Sequence, residues 1–198
     1  MVDEDRSPSE EAPYADENAL GVWVSWFDAE DVEYSASADK FPPRLTVLRT
    51  AVSDYCEGFP LGANVSLIDV GTAFYFEVAD GDHTEDPIAW LRALRAYLEQ
   101  GEWSTFGVVT YGGRWVAAGA PGPAFGGVTR LASFGPSEPF SRASGAQAFA
   151  HDDEDGEQEG WGPGLFVDLE ALEALGRKLK NVPTTLRAAG ASFVRIAR

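Results

Sequence analysis

The chain of 198 residues holds one cysteine, one methionine and two histidines. Each scarcity removes something. A single Cys56 closes no internal disulfide, so no oxidising compartment is implied. Two imidazoles and one thiol leave little material for the common zinc or His-based and Cys-based catalytic constellations. No apolar run approaches the roughly 18 residues that a membrane span needs. Residues 1–17 are acidic where a secretory signal carries Lys or Arg. Gly-x-Ser-x-Gly, Ser-x-x-Lys and the Gly-x-x-x-x-Gly-Lys phosphate loop are absent, and the glycine-rich stretch 119–127 lacks dinucleotide-binding spacing. Basic residues are also few: 15 Lys and Arg stand against 32 Asp and Glu, a formal charge of -17. That surplus repels nucleic acid and anionic membrane and attracts cationic surfaces. The expected setting is cytoplasmic.

Much of the charge sits in two short places. The first holds Asp3, Glu4, Asp5, Glu10, Glu11, Asp16 and Glu17 against Arg6. The second holds Asp152, Asp153, Glu154, Asp155, Glu157 and Glu159. The remainder is mildly acidic, and the stretch from Asp168 to Arg198 is net basic. Residues 1–19 read as a polar tail with too few apolar groups to offset the entropy of ordering. Residues 20–198 read as one domain, since 44% hydrophobic residues suffice for a core.

The elements alternate. Gly21–Phe27 is dense in β-branched and aromatic residues and suits a strand. Pro42-Pro43 opens a helix with Leu45, Leu48, Val52 and Tyr55 on one face, and Gly58 stops it. Val65–Val70 and Ala73–Val78 form a hairpin about Gly71-Thr72. Asp86 caps a helix that starts at Pro87, buries Leu91, Leu94 and Leu98, points Arg92 and Arg95 outward and ends at Gly101. Thr105–Tyr111 and Arg114–Ala118 read as a hairpin turned at Gly112-Gly113. Val128–Phe134 and Ala146–Ala150 are weak strands, and Leu165–Val167 is a short one. Asp168 caps a helix with Leu169, Leu172, Leu175 and Leu179. Thr184 or Thr185 caps a last turn stopped by Gly190, and Ser192–Ile196 closes as a strand. The expected fold class is α+β: an antiparallel sheet with helices packed on one face. It starts with a ferredoxin-like β-α-β-β-α-β unit, extended by a C-terminal β-α-β segment.

Candidate sites are sparse. His83 lies in Asp80-Gly-Asp-His-Thr-Glu-Asp86, where a carboxylate beside an imidazole suits a metal or a general base; polar loop residues belong there in any case. His151 opens an acidic run that resembles a calcium loop in composition only, because the positions for its first and last ligands hold His151 and Gly162. Two His and several acids would suffice for one metal site, but no spacing joins them. Cys56 sits beside Glu57, which opposes a thiolate. Neither a metal nor a cofactor is expected. Trp161, in Glu-Gly-Trp-Gly-Pro-Gly, has nothing local to bury it. It suits either a partner anchor amid a charged rim or a cover for the sheet edge.

These features point to an acidic protein-binding module, of the kind found in an immunity protein or antitoxin that acts as an inhibitor of a basic toxin or nucleic-acid-processing protein. Its contact residues would be Asp152, Asp153, Glu154, Asp155, Glu157, Glu159 and Trp161, and its partner a basic protein. The competing expectations are a small-ligand-binding regulatory domain and a carboxylate-based enzyme using His83 with Asp69, Glu77 or Asp80.

Overall fold

The computed structural model describes residues 14–26, 43–69, 73–100, 104–117, 137–151, 161–178 and 185–197. Their elements run β1 (Tyr14–Trp26), α1 (Pro43–Gly58), β2 (Val65–Asp69), β3 (Ala73–Ala79), α2 (Pro87–Glu99), β4 (Thr105–Ala117), α3 (Glu138–His151), β5 (Gly164–Asp168), α4 (Leu169–Ala174), β6 (Leu186–Ala188) and β7 (Ala191–Ala197). The strands form one sheet in the order β2-β3-β1-β4-β5-β7-β6. In its first half each neighbouring pair is antiparallel, so two β-α-β units interleave as the ferredoxin-like expectation requires. The second half departs from the expected antiparallel sheet: β5 joins β4 in parallel.

Period-two alternation along the strands builds two apolar layers. Leu20, Val22, Val24 and Trp26 of β1 face one side, with Phe74, Phe76 and Val78 of β3. There they meet Leu48, Val52 and Tyr55 of α1, Leu91, Leu94 and Leu98 of α2, and Leu172 of α4. Trp23, Tyr75, Phe106, Val108 and Phe166 face the other side and meet Ala143, Ala146 and Ala150 of α3. The expectation of helices on a single face is therefore corrected. Apolar residues occupy both faces of the central strands, and a sheet with two greasy faces needs cover on both.

The start signals of α2 act as read, while Gly101 lies outside the described residues. Asp86 accepts from Ile88 N at 3.0 Å, with Pro87 in the first turn. Arg95 does not point away; it is 4% exposed and donates to Thr105 Oγ1 at 2.9 Å. Its stem fills the space above Gly107, where a Cβ would sit 2.9 Å from Arg95 Cδ.

Several local expectations are overturned. Gly112-Gly113 is no turn: β4 runs unbroken and pairs with β1 from Trp26↔Thr105 to Tyr14↔Ala117. β1 begins at Tyr14, inside the stretch read as a tail. Ala146–Ala150 is helical, within α3, because small residues there let a helix lie close on the sheet. A Cβ on Gly145 would overlap that of Ala189. Asp168 does cap α4, accepting from Glu170 N at 3.1 Å, but that helix ends at Ala174. The stretch before Gly190 is strand β6, joined to β7 by Ala189 (φ 46°) and Gly190 (φ 76°), the paired positive φ values of a tight hairpin turn. The proposed strand at 128–134, the glycine-rich loop 119–127 and the Gly71-Thr72 turn lie outside the described residues. Among the described residues no helix is long and apolar enough to cross a membrane.

Candidate functional site

Among the described residues, the densest polar chemistry lies where the N-terminus of α3 meets the sheet. Tyr75 on β3 is fully buried, and its hydroxyl donates to Glu77 Oε2 at 2.6 Å. Ser137, just before α3, donates to the same oxygen. Arg114 of β4 lies 3.5 Å from Glu77 Oε1 and donates to Glu17 Oε2 of β1 at 2.7 Å. The sheet makes room by omission: a Cβ on Gly21 would sit 2.7 Å from both Tyr75 Oη and Thr110 Oγ1.

One helical step on, Glu138 takes the space over Gly112 and accepts from Gly113 N at 3.0 Å. Its other oxygen accepts from Arg142, one turn along α3. Arg142 Nη1 also reaches Asp168 Oδ2 at 2.8 Å and Glu170 Oε2 at 2.7 Å. One guanidinium thus joins three carboxylates from α3, β5 and α4.

The electrostatics follow from burial and partners. The hydrogen bond from Gly113 N, helped by Arg142, holds Glu138 below the ordinary carboxyl value. Burial raises Asp168, outweighing the pull of Arg142 and of the Glu170 amide. Burial alone would lower Arg142, but its three acids overcome it and raise it. Burial, then the Glu77 charge, drives Tyr75 well above the usual phenol range. Tyr75 is therefore a donor and not a phenolate, and Arg142 a permanent cation.

The residues singled out from the sequence do not converge. Asp69 ends β2 opposite Phe74 and pairs with Arg49 at 2.7 Å. Asp80 and His83 lie beyond the other end of that strand pair, where Asp80 accepts from Tyr111 Oη at 3.1 Å. His83 bridges to Gly62, and its Nδ1 lies 3.1 Å from Glu85 O. Glu77 belongs to the α3 network instead. His151 closes α3. Burial pushes the Cys56 thiol up to about 12, so it is no nucleophile at neutral pH. Trp161 folds back half-buried, stacked on Phe166 at 4.9 Å and edge-on to Phe193 at 5.6 Å. Asp152, Asp153, Glu154, Asp155, Glu157 and Glu159 lie outside the described residues. Among the described residues no group of three or more His, Cys, Asp or Glu is placed to hold a metal ion.

The Glu77 cluster with Tyr75, Ser137 and Arg114, and the Arg142 cluster beside it, escaped sequence reasoning because each draws on separate elements far apart in the chain. The local signals were the Glu138–Arg142 spacing of four on one helix and the Tyr75–Glu77 spacing of two on one strand.

No protein-family model and no curated protein matches this chain. Solved structures do. The chain is similar over 93% of its length, and 99% of the other, to the guanylate cyclase domain of RhGC from Catenaria anguillulae in complex with GTP, with TM-score 0.53 and 10% identity. It is similar over 92%, and 94% of the other, to the adenylyl cyclase CyaB from P. aeruginosa, with TM-score 0.51 and 11% identity. A guanylyl cyclase domain from the aquatic fungus Blastocladiella emersonii matches over 93% and 96%, with TM-score 0.50 and 10% identity. At such identities the likeness is one of fold. It nevertheless corrects the expectation of an immunity or antitoxin-type inhibitor: the architecture is the one that nucleotide cyclase domains adopt.

Proposed function

We propose that this chain is a nucleotide-cyclase-type domain that takes a purine nucleoside triphosphate. The observation that carries the reading is the near end-to-end match, 93% of this chain against 99% of a guanylate cyclase domain in complex with GTP. In the cyclising reaction the ribose 3′-oxygen attacks the α-phosphorus. Its proton passes to a base, the bond to the β-phosphate oxygen breaks, and pyrophosphate leaves. Such a transfer depends on positioning and on neutralising the phosphates.

The described residues do not supply a fitting divalent-cation site. Arg142 is already engaged by Glu138, Asp168 and Glu170, so it is not free to neutralise a phosphate. The lack of a cation-holding cluster among the described residues favours a second reading: the fold binds a triphosphate without turning it over. Calorimetric titration of the full chain with ATP and with GTP, in Mg2+ and in Mn2+, followed by chromatography for the cyclic nucleotide, separates the two. Product supports cyclisation, saturable binding without product supports the second reading, and the absence of both refutes the assignment.

A further inference from the structure

On the face of the sheet opposite the α3 network, α1 and α2 form the outer layer. Among the described residues, Val47 (59% exposed), Phe59 (57%) and Tyr97 (41%) are large apolar side chains left to solvent on these helices or at their ends. Two of them belong to one aromatic group. Tyr55 lies 5.2 Å from Phe59 and 5.5 Å from Tyr97, ring centre to ring centre, with Trp90 beneath at 5.7 Å. Trp90 is fixed by donating to Phe59 O at 2.7 Å, so the platform is rigid. The loop that follows β3 is pinned beside it, with Thr84 N donating to Leu61 O at 2.9 Å.

Three exposed acids lie beside this platform, and Arg177 is taken up by Asp86, the residue after Glu85. Asp54 and Glu57 are exposed on α1, and Glu85 is close enough to help burial raise the Tyr55 phenol. None of these three acids is in an ion pair among the described residues. Elsewhere Arg114 pairs with Glu17 and Glu77, and Arg142 pairs with Glu138, Asp168 and Glu170. The exposed Arg92 of α2 precedes Tyr97 by five residues, which turns it about 140° away around the helix. Exposed rings beside three acids outside any ion pair match the make-up of an interface anchor. The complement is a segment with apolar and cationic side chains together, since a Lys or Arg can rest on a ring face while its charge meets the rim.

We propose that the Tyr55–Phe59–Tyr97 face, rimmed by Asp54, Glu57 and Glu85, docks a cationic amphipathic segment of a partner protein. The test is fluorescence anisotropy of a labelled lysine–leucine amphipathic peptide titrated with the full chain. A glutamate–leucine peptide of equal length is the control. The lysine peptide binds and the glutamate peptide does not. Phe59→Ser with Tyr97→Ser weakens binding at least tenfold, and Asp54→Lys with Glu57→Lys does the same with the rings intact. Equal binding by both peptides overturns the proposal, because charge then plays no part. Unchanged binding by either variant overturns it too, because acids elsewhere in the chain are then the attractor. Loss of a dimer in the ring variant, seen by sedimentation of the chain alone, also overturns it by assigning the face to a second copy.

Discussion

Arg142 on α3 holds Asp168 at the end of β5, Nη1 to Oδ2 at 2.8 Å, with the acid 1% and the base 12% exposed. Arg142 lies in the helix before β5 and Asp168 closes β5, the strand that joins the ferredoxin-like half in parallel. Arg142 is therefore the link between α3 and the parallel β4–β5 junction. Removing it strands a buried carboxylate. Arg142→Met should destabilise the fold by about 3–5 kcal/mol, the usual cost of breaking a buried pair from one side. Adding Asp168→Asn should recover much of that loss, because the amide still caps α4 and carries no charge. Chemical denaturation of both variants measures the difference.

Gly21 tests the close approach of Tyr75 and Thr110. Gly21→Ala should cost about 1–3 kcal/mol, the range for overpacking a filled space. Gly58→Ala is the contrast. Nothing lies within 4 Å of a Cβ there. That substitution, at the end of α1, should be neutral or stabilise by up to roughly 1 kcal/mol. Thermal unfolding midpoints of the two variants should move in opposite directions, or the Gly58 variant should stay still.

Gly145 and Ala189 test how closely α3 lies against the β6–β7 turn. Gly145→Ala should lower stability through overlap with the Ala189 methyl. Ala189→Gly removes that methyl and also the strain of a non-glycine residue at φ 46°. The double variant should be more stable than Gly145→Ala alone by more than Ala189→Gly adds to the unaltered chain. A double-mutant cycle in denaturant reads that coupling.

Glu138 gives the pH dependence a sign. Its folded carboxyl lies below the ordinary value of 4.5. A depressed acid contributes stability that is fully present above the unfolded pKa and is lost as pH falls through the folded one. Stability should therefore fall on acidification below about 4.5, and Glu138→Gln should flatten that part of the profile. Asp168, raised by burial, has the opposite sign, so the difference between the two profiles, and not either curve alone, is the measurement.

The sequence was most legible where a single turn carries the signal. Asp86 followed by Pro87, and Asp168 before Leu169, each announced a helix start, and both cap as read. Glycine was the main source of error. At Gly112 it marks the space that Glu138 fills and not a reversal of the chain, and no local pattern distinguishes those roles. The α3 sequence misled for a related reason. Its buried face is alanine, so it lacks the large apolar stripe by which amphipathic helices are recognised. Arg95 was misplaced because a buried arginine depends on Thr105 and Glu99, which only the fold brings to it. The polar network at α3 was invisible because it draws on β1, β3, β4, β5 and both flanking helices. The surplus of acid was visible at once, but it spoke to electrostatics and not to fold.

The most direct test of triphosphate recognition on this fold is phosphorus NMR of ATP and of GTP incubated with the full chain and Mg2+ or Mn2+. Recognition predicts broadened or shifted triphosphate resonances that titrate with protein, with cyclic nucleotide and pyrophosphate appearing in step if the domain turns over. Sharp, unmoved resonances with no product, for both nucleotides and both cations, would contradict it.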